Sequence, residues 1–146
     1  MTMHPNQAHL SRRRSEPEAF RARTLSVSMT VKDLDASVDW YCHAIGFVVD
    51  KSYERDGRTS GVVLKAGSVR ILLNQDDGAK GTDRVKGEGM SLQFTTVQEI
   101  DVLAERIKAE GWSLETEPAD MPWGVRSFRV RDPDGFRIAI SSEPKT

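Results

Sequence analysis

The sequence is poor in the side chains that most often build reactive or metal centres. It contains one cysteine, Cys42, which excludes an internal disulfide and a cysteine-rich metal site. Of its three histidines, His4 and His9 lie near the start, so only His43 remains and we expect no histidine-rich catalytic centre. No apolar run approaches the ~20 residues that cross a bilayer, so we expect no membrane partner.

Neither sign of charge is in excess. The chain has 21 Lys and Arg against 22 Asp and Glu, a net charge of −1, which argues against a cationic surface for nucleic acid. Residues 1–23 contain three consecutive arginines but no periodic apolar pattern, and no apolar stretch long enough for a secretory signal. We therefore predict a flexible N-terminal tail over residues 1–23, a cytoplasmic protein and no nucleic-acid partner.

The first half of the folded part has a clear order of patterns. Residues 25–31 alternate between apolar and small polar side chains, which predicts a strand with Leu25 and the other odd-numbered residues on a core. Asp33 suits the N-cap of a helix and Gly46 its left-handed end. The buried stripe of that helix is predicted to be Leu34, Val38, Tyr41 and Ile45. Further strands are predicted over residues 47–49, 60–64 and 69–73.

The second half repeats this order. Residues 90–95 alternate like the first strand, and Thr96 and Glu99 have capping-box spacing before a second helix. Strands are then predicted over residues 113–117, 125–131 and 136–141. This self-similarity indicates a duplicated β-α-β-β-β unit. We predict one α+β domain over residues 24–146, with modules over 24–77 and 89–142.

Two stretches and the repeat together resemble the vicinal oxygen chelate superfamily, which holds glyoxalase I, extradiol dioxygenases, fosfomycin-resistance enzymes and bleomycin-binding proteins. The stretch from Val31 through Trp40-Tyr41 to Ile45-Gly46-Phe47 looks like the family's first strand and helix. Pro122-Trp123-Gly124, followed by Asp132-Pro133-Asp134-Gly135-Phe136, looks like its last hairpin.

The resemblance implies two βαβββ modules whose mixed sheets form a partly closed β-barrel or groove with the helices outside. It also implies a homodimer and a site on the concave face of the sheets. Chelating members hold a divalent metal there through His, Gln or Glu. The matching positions are Ser26, Ser91 and Ala139, and hydroxyl or methyl groups are poor ligands for transition metals. We therefore expect neither a metal nor another cofactor.

The same alternation indicates which side chains line the groove. Small and polar residues are predicted on its faces: Ser26, Ser28, Ser91, Gln93 and Ala139. Such a floor either leaves volume for a neutral or weakly polar ligand or simply lets two sheets approach. Trp123, on a loop, is expected to be a stacking wall, and Asn74 the rim residue that reaches inward.

Two other candidates for the groove have alternatives. Trp40, off the helix stripe, lines either the groove or the dimer contact, whereas Trp112 is assigned to packing. Arg126 either binds a ligand carboxylate or phosphate, or pairs with Asp120, which we slightly favour.

These features favour a metal-independent protein that sequesters or senses a small organic molecule. A glyoxalase-like lyase or dioxygenase-type enzyme with non-standard site residues is the alternative, and a protein-interaction module is the third. No catalytic residue is assigned.

Overall fold

The computed structural model describes residues 19–144, so residues 1–18 of the predicted tail lie outside the described part. The described part contains the order β-α-β-β-β twice. The first module has β1 (Val27–Val31), α1 (Leu34–Trp40) continued by a π-helical turn (Tyr41–Ile45), β2 (Val48–Arg55), β3 (Arg58–Ala66) and β4 (Val69–Gln75). The second has β5 (Ser91–Thr96), α2 (Ile100–Ala109), β6 (Thr116–Asp120), β7 (Arg126–Arg131) and β8 (Arg137–Ser142). None of the described helices has the length and apolar character to span a membrane.

Each module forms one four-stranded mixed sheet. Sheet 1 has the strand order β1-β4-β3-β2, and sheet 2 has the order β5-β8-β7-β6. In each sheet the first and last strands of the module are parallel, and the other neighbours are antiparallel. Within residues 19–144 no strand of one sheet pairs with a strand of the other, so the sheets are not closed into a barrel. The predicted α+β fold with two mixed sheets is confirmed.

The predicted signals at both ends of the first helix are confirmed. Asp33 is the N-cap, and its Oδ1 accepts a hydrogen bond from the Ala36 N–H at 3.1 Å. The π-helical turn ends at Gly46, whose φ of 111° lies in the left-handed region. The N–H groups of Gly46 and Phe47 both donate to the Tyr41 carbonyl at 2.9 Å, which satisfies an acceptor that the helix end leaves free.

Two predictions about element starts are wrong. Leu25, expected on the core, is 90% exposed, because pairing with β4 begins only at Val27. Thr96 and Glu99 form no capping box. Instead, the Thr96 hydroxyl oxygen accepts from the Gln98 N–H at 3.1 Å, and Glu99 is the N-cap without a side-chain hydrogen bond.

The strand predicted over residues 113–117 lies three residues later, over Thr116–Asp120. Its pairing with β7 shifts register between Thr116 and Ala119. Pro118 lies inside that interval and has no N–H to donate, which is consistent with a strand at the edge of sheet 2.

Both modules contribute to one apolar core, which lies between the helices and the inner faces of the sheets. Tyr41 stacks edge to face on Phe47, and Phe47 on Phe94 of the other module, with ring centroids 5.5 and 5.8 Å apart. The predicted helix stripe is partly right, because Tyr41 is fully buried but Val38 and Ile45 are only half-buried.

Trp40 is a core residue, which corrects its assignment to the groove or a dimer contact. It is 3% exposed and packs edge to face on Trp112, with ring centroids 5.9 Å apart. The helix and its π-helical turn contact both sheet 1 and α2, so more than one stripe is buried. Ser37 and Ala44 are buried for the same reason.

The closing turn between β7 and β8, residues 132–135, joins the two modules. The buried carboxylate of Asp132 accepts the Tyr41 hydroxyl at 2.7 Å and the N–H groups of Asp134 and Phe136 at 2.9 Å each. Burial raises the pKa of the Asp132 carboxyl and that of the Tyr41 phenol. The Asp134 carboxylate also accepts the Lys32 N–H of the first module at 2.8 Å.

The linker between β4 and β5 is fastened to the same junction. Lys86 Nζ donates to the Thr30 carbonyl at 3.0 Å and to the Asp76 carboxylate at 2.6 Å. Gly87 has a φ of 73°, and a Cβ there would lie 2.6 Å from the Phe136 ring. Only glycine therefore allows the linker to pass so close to the closing turn.

We expect Asp132→Ala to lower the free energy of unfolding by at least about 3 kcal/mol. It leaves two buried donors and one partly buried donor without their acceptor, and each buried loss costs about 1–3 kcal/mol. Tyr41→Phe removes a single donor and should cost about 1–3 kcal/mol in urea unfolding.

Tyr53→Phe is the matched control, because Tyr53 is the other of the chain's two tyrosines and lies on the exposed strand β2. Its unfolding free energy should change by less than about 0.5 kcal/mol. Equal losses for the two tyrosine variants would contradict the role given to the buried hydrogen bond.

Candidate functional site

Sheet 2 turns its apolar side chains to the core and a polar face outward, on which Arg129 and Arg131 are exposed and Ser127 is buried. We call this polar face open face 2. It consists of three rows of residues across β5, β8 and β7. The rows are Thr95-Ser141-Ser127, Gln93-Ala139-Arg129 and Ser91-Arg137-Arg131. Ala139 lies at the centre of this grid, with Gln93 on one side and Arg129 on the other, so the middle of the face is low and its surroundings are polar.

Sheet 1 has a corresponding open face 1, which includes Ser28, Thr30 and Asn74 of β1 and β4. Asn74 Nδ2 donates to Ser28 Oγ at 2.8 Å. Gly61 on β3 leaves room for the amide, since a Cβ there would lie 3.0 Å from Asn74 Oδ1. Two residues predicted to line the groove are thus brought into direct contact.

The remaining predicted residues lie at the margins. Ser26 is exposed and precedes β1, so it lies at the end of open face 1. Trp123 is 67% exposed in the turn between β6 and β7. Because Ala119 pairs with Ser127 near that turn, Trp123 adjoins the hydroxyl end of open face 2.

Arg126 lies on the helix side of sheet 2, away from open face 2. Its guanidinium donates to both Asp101 carboxylate oxygens at 2.9 and 3.0 Å and to Asp120 at 3.1 Å. Hydrogen bonding to Arg126 lowers the pKa of Asp101. Of the two predicted alternatives, the surface pairing with Asp120 is therefore the observed one.

The sequence analysis missed the three arginines of open face 2. Arg131 donates to Glu115 and to the Gly135 carbonyl, whereas the guanidinium groups of Arg129 and Arg137 have no hydrogen bond or ion pair within the described residues. The signal was present, because Arg129 and Arg131 alternate with the buried Phe128 and Val130 along β7. The predicted lining of the groove named small and polar residues and did not include these arginines.

A cleft of about 400 Å³ lies between the modules and shares Thr95 with the edge of open face 2. Its walls include Phe47 and Val69 of the first module and Phe94 and Leu103 of the second. These side chains offer apolar contact but no group that the sequence analysis singled out for chemistry.

The side chains at the metal positions of the resembled family do not fit a transition metal. Ser26, Ser91 and Ala139 offer two hydroxyls and a methyl group. A fourth position on β4 would supply Arg70 or Leu72, which share the polar face with Asn74 and are not ligands either. Residues 19–144 contain no group of three or more His, Cys, Asp or Glu side chains placed to hold a metal.

Comparisons with known proteins agree with the geometry. The chain matches the family model of the Glyoxalase/Bleomycin resistance protein/Dioxygenase superfamily over residues 23–140. No curated protein matches it.

Solved structures of similar fold come from several bacteria. TioX from Micromonospora sp. ML1 is 20% identical with a TM-score of 0.68, over 83% of this chain and 98% of that one. A superfamily member from Sphaerobacter thermophilus DSM 20745 is 22% identical with a TM-score of 0.69, over 84% and 98%. Virulence protein STM3117 from Salmonella typhimurium is 23% identical with a TM-score of 0.65, over 84% and 98%. At these identities the likeness concerns the fold alone.

The Asp76–Lys86 ion pair beside open face 1 predicts a pH effect on stability. The hydrogen bond from Lys86, followed by one from the Gly78 N–H, lowers the pKa of Asp76. The folded chain therefore binds this proton less tightly than the unfolded chain, so the stabilisation is full above about pH 4–5 and is lost as the pH falls through the folded pKa. Asp76→Asn should be less stable at neutral pH and lose less stability on acidification.

Denaturant unfolding at neutral and acid pH measures this difference. Asp77→Asn is the control, because Asp77 is adjacent and has no salt bridge among the described residues. Asp132 has the opposite effect on the pH dependence of stability. Burial raises its pKa, so protonation at low pH removes the cost of burying its charged carboxylate. Parallel pH profiles for wild type and Asp76→Asn would rule out the ion pair as a source of the acid sensitivity.

Proposed function

Because the chain belongs to the Glyoxalase/Bleomycin resistance protein/Dioxygenase superfamily, we propose that it binds a small organic molecule without a metal, and that it sequesters or senses this molecule. The donor set carries the proposal. Ser26, Ser91 and Ala139 stand at the positions where chelating relatives need metal ligands, and their side chains cannot replace histidine or carboxylate.

The proposed ligand lies over the open faces. Ser28 and Asn74 offer hydrogen-bonding groups on sheet 1, and Ser91 and Gln93 offer them on sheet 2. Trp123 is exposed on a loop at the edge of open face 2, where an indole can stack on a planar ligand. A few polar groups around a low centre, with an aromatic wall, are typical of a site that orients a small molecule.

Binding is favoured over catalysis by where the reactive groups lie. His43 and Cys42 are on the helical segment of the first module, and within the described residues neither open face carries a histidine or cysteine. Asp132, whose pKa is raised, is enclosed in the junction between modules. A general acid or base must reach the bound molecule, and these groups do not lie on the open faces.

We further propose a two-fold homodimer that completes the groove. Within residues 19–144 no strand of one sheet pairs with a strand of the other, and neither polar face is covered by the opposite sheet. The edge strand β2 is exposed throughout its eight residues, with Val48, Val49 and Tyr53 about half exposed. A second copy that faces these surfaces would enclose a ligand, which a single open sheet cannot do.

A thermal-shift screen tests the binding function. We expect members of a library of small organic molecules to raise Tm by several degrees, because ligands that bind only the folded state stabilise it. Ni²⁺, Mn²⁺ and Zn²⁺ should leave Tm unchanged, and elemental analysis should show no stoichiometric metal. One tightly bound metal per chain, or no stabilising organic ligand, would contradict the proposal.

The tryptophan variants locate the ligands found in that screen. Trp123→Phe should remove most of the ligand-induced change in tryptophan emission and weaken binding by up to about tenfold, as loss of stacking on an indole implies. Trp112→Phe is the matched control, because Trp112 is partly exposed but packs edge to face on the buried Trp40, so its loss should mainly reduce stability.

Light scattering tests the dimer. At micromolar concentration the mass should be near twice the 16.3 kDa of one chain. Dilution should lower the mass and the ligand affinity together, because the groove needs both copies. A mass of one chain with unchanged ligand affinity would show that a single chain suffices.

A further inference from the structure

Open face 2 concentrates positive charge in a chain whose net charge is close to zero. Arg129, Arg131 and Arg137 occupy neighbouring grid positions on β7 and β8. Within the described residues Glu115 is the acidic partner of this group and is taken by Arg131. The whole chain has a net charge of −1, so this excess is local rather than a property of the surface.

The arrangement leaves two guanidinium groups without a counter-ion. Arg131 and Arg137 lie directly opposite each other on antiparallel strands, a placement in which like charges destabilise a sheet. Arg131 is held by Glu115 and the Gly135 carbonyl, whereas the guanidinium groups of Arg129 and Arg137 have no hydrogen bond or ion pair within residues 19–144. An anion between these side chains would relieve the repulsion and satisfy their donors.

The centre of the face has room for such an anion. Ala139 lies between Gln93 and Arg129 in the middle row, and its methyl group leaves a depression among longer side chains. Gln93 Nε2 lies 3.3 Å from Ser91 Oγ, so an amide donor is positioned at the same edge. The long side chains around Ala139 therefore present mainly N–H donors, which suit oxyanions.

We propose that open face 2 recognises the anionic group of the ligand, a carboxylate or a phosphate, through Arg129 and Arg137, with Gln93 at the edge. This inference rests on the proposed function, since it names the chemical class of the small molecule that the groove takes. It replaces the neutral ligand expected from the hydroxyl residues alone. The planar guanidinium fork matches two oxygens of a carboxylate or phosphate, which gives orientation as well as affinity.

Nuclear magnetic resonance titration of the full chain with three matched compounds tests this proposal. Benzoate and phenyl phosphate carry the two candidate anions on the same ring, and benzamide is the uncharged counterpart of benzoate. Both anions should shift the backbone amides of Gln93, Arg129 and Ala139, and benzamide should bind at least about tenfold more weakly because it lacks charge-assisted hydrogen bonds. The anion with the lower dissociation constant identifies the preferred group.

Substitutions assign the effect to the arginines. Arg129→Gln and Arg137→Gln should each weaken benzoate binding by about tenfold and reduce its dependence on salt, whereas Arg129→Lys should lose less. Arg58→Gln is the matched control, because Arg58 is an exposed arginine at the far end of β3 in sheet 1. It should leave benzoate affinity unchanged.

Two results would overturn the anion proposal while leaving the proposed function intact. Equal affinity for benzamide and benzoate would show that the negative charge of the ligand does not contribute to binding. The second result is that the anions shift only amides on other surfaces, or none, while library ligands still bind the open faces. It would show that the arginine side chains are hydrated and do not bind the ligand. If the library ligands also fail to bind, the proposed function fails with it.

Discussion

The hydrogen bond from the Tyr41 hydroxyl to Asp132 ties the helical segment of the first module to the closing turn of the second. Both groups are buried, so neither can exchange its partner for water without a cost of about 1–3 kcal/mol. Since this turn joins the paired strands β7 and β8 at one end of sheet 2, its attachment helps to fix how sheet 2 lies relative to sheet 1. This buried contact positions the two open faces together with the contacts of Asp134, Lys86 and Phe94 across the same junction.

Sharing one core has a further effect on where function can lie. One face of each helix and the inner face of each sheet pack in the core, where Trp40, Tyr41 and Phe47 are buried. The outer faces of the sheets lie outside this core and remain available for recognition. Strict alternation along β5, β7 and β8 then decides which side chains reach that surface, so the packing of Phe128 and Ile138 determines that Arg129 and Arg137 face outward.

Period-two alternation, helix ends and the repeat predict the order of strands and helices in both modules, because each is a local signal repeated along the chain. The arrangement of the strands in two mixed sheets came from the resemblance to the superfamily. The failures have tertiary causes. Leu25 continues the apolar pattern but has no neighbouring strand, and Trp40 leaves the predicted stripe because the helix packs on two sides. Of the predicted site residues, five lie on the open faces: Ser28, Asn74, Ser91, Gln93 and Ala139. Arg126 does not, since Asp101 of α2 holds it on the helix side.

The linker that passes over Phe136 at Gly87 is the only covalent connection between the modules, yet the junction it crosses is held by non-covalent contacts. A protease cut in its exposed part, around residues 79–85, would leave those contacts in place. The two fragments would then behave as a heterodimer, and the linker's contribution would be an effective concentration rather than a structural element. Duplication of an ancestral unit that assembled from separate chains would produce this arrangement, with the linker added to an interface that already existed.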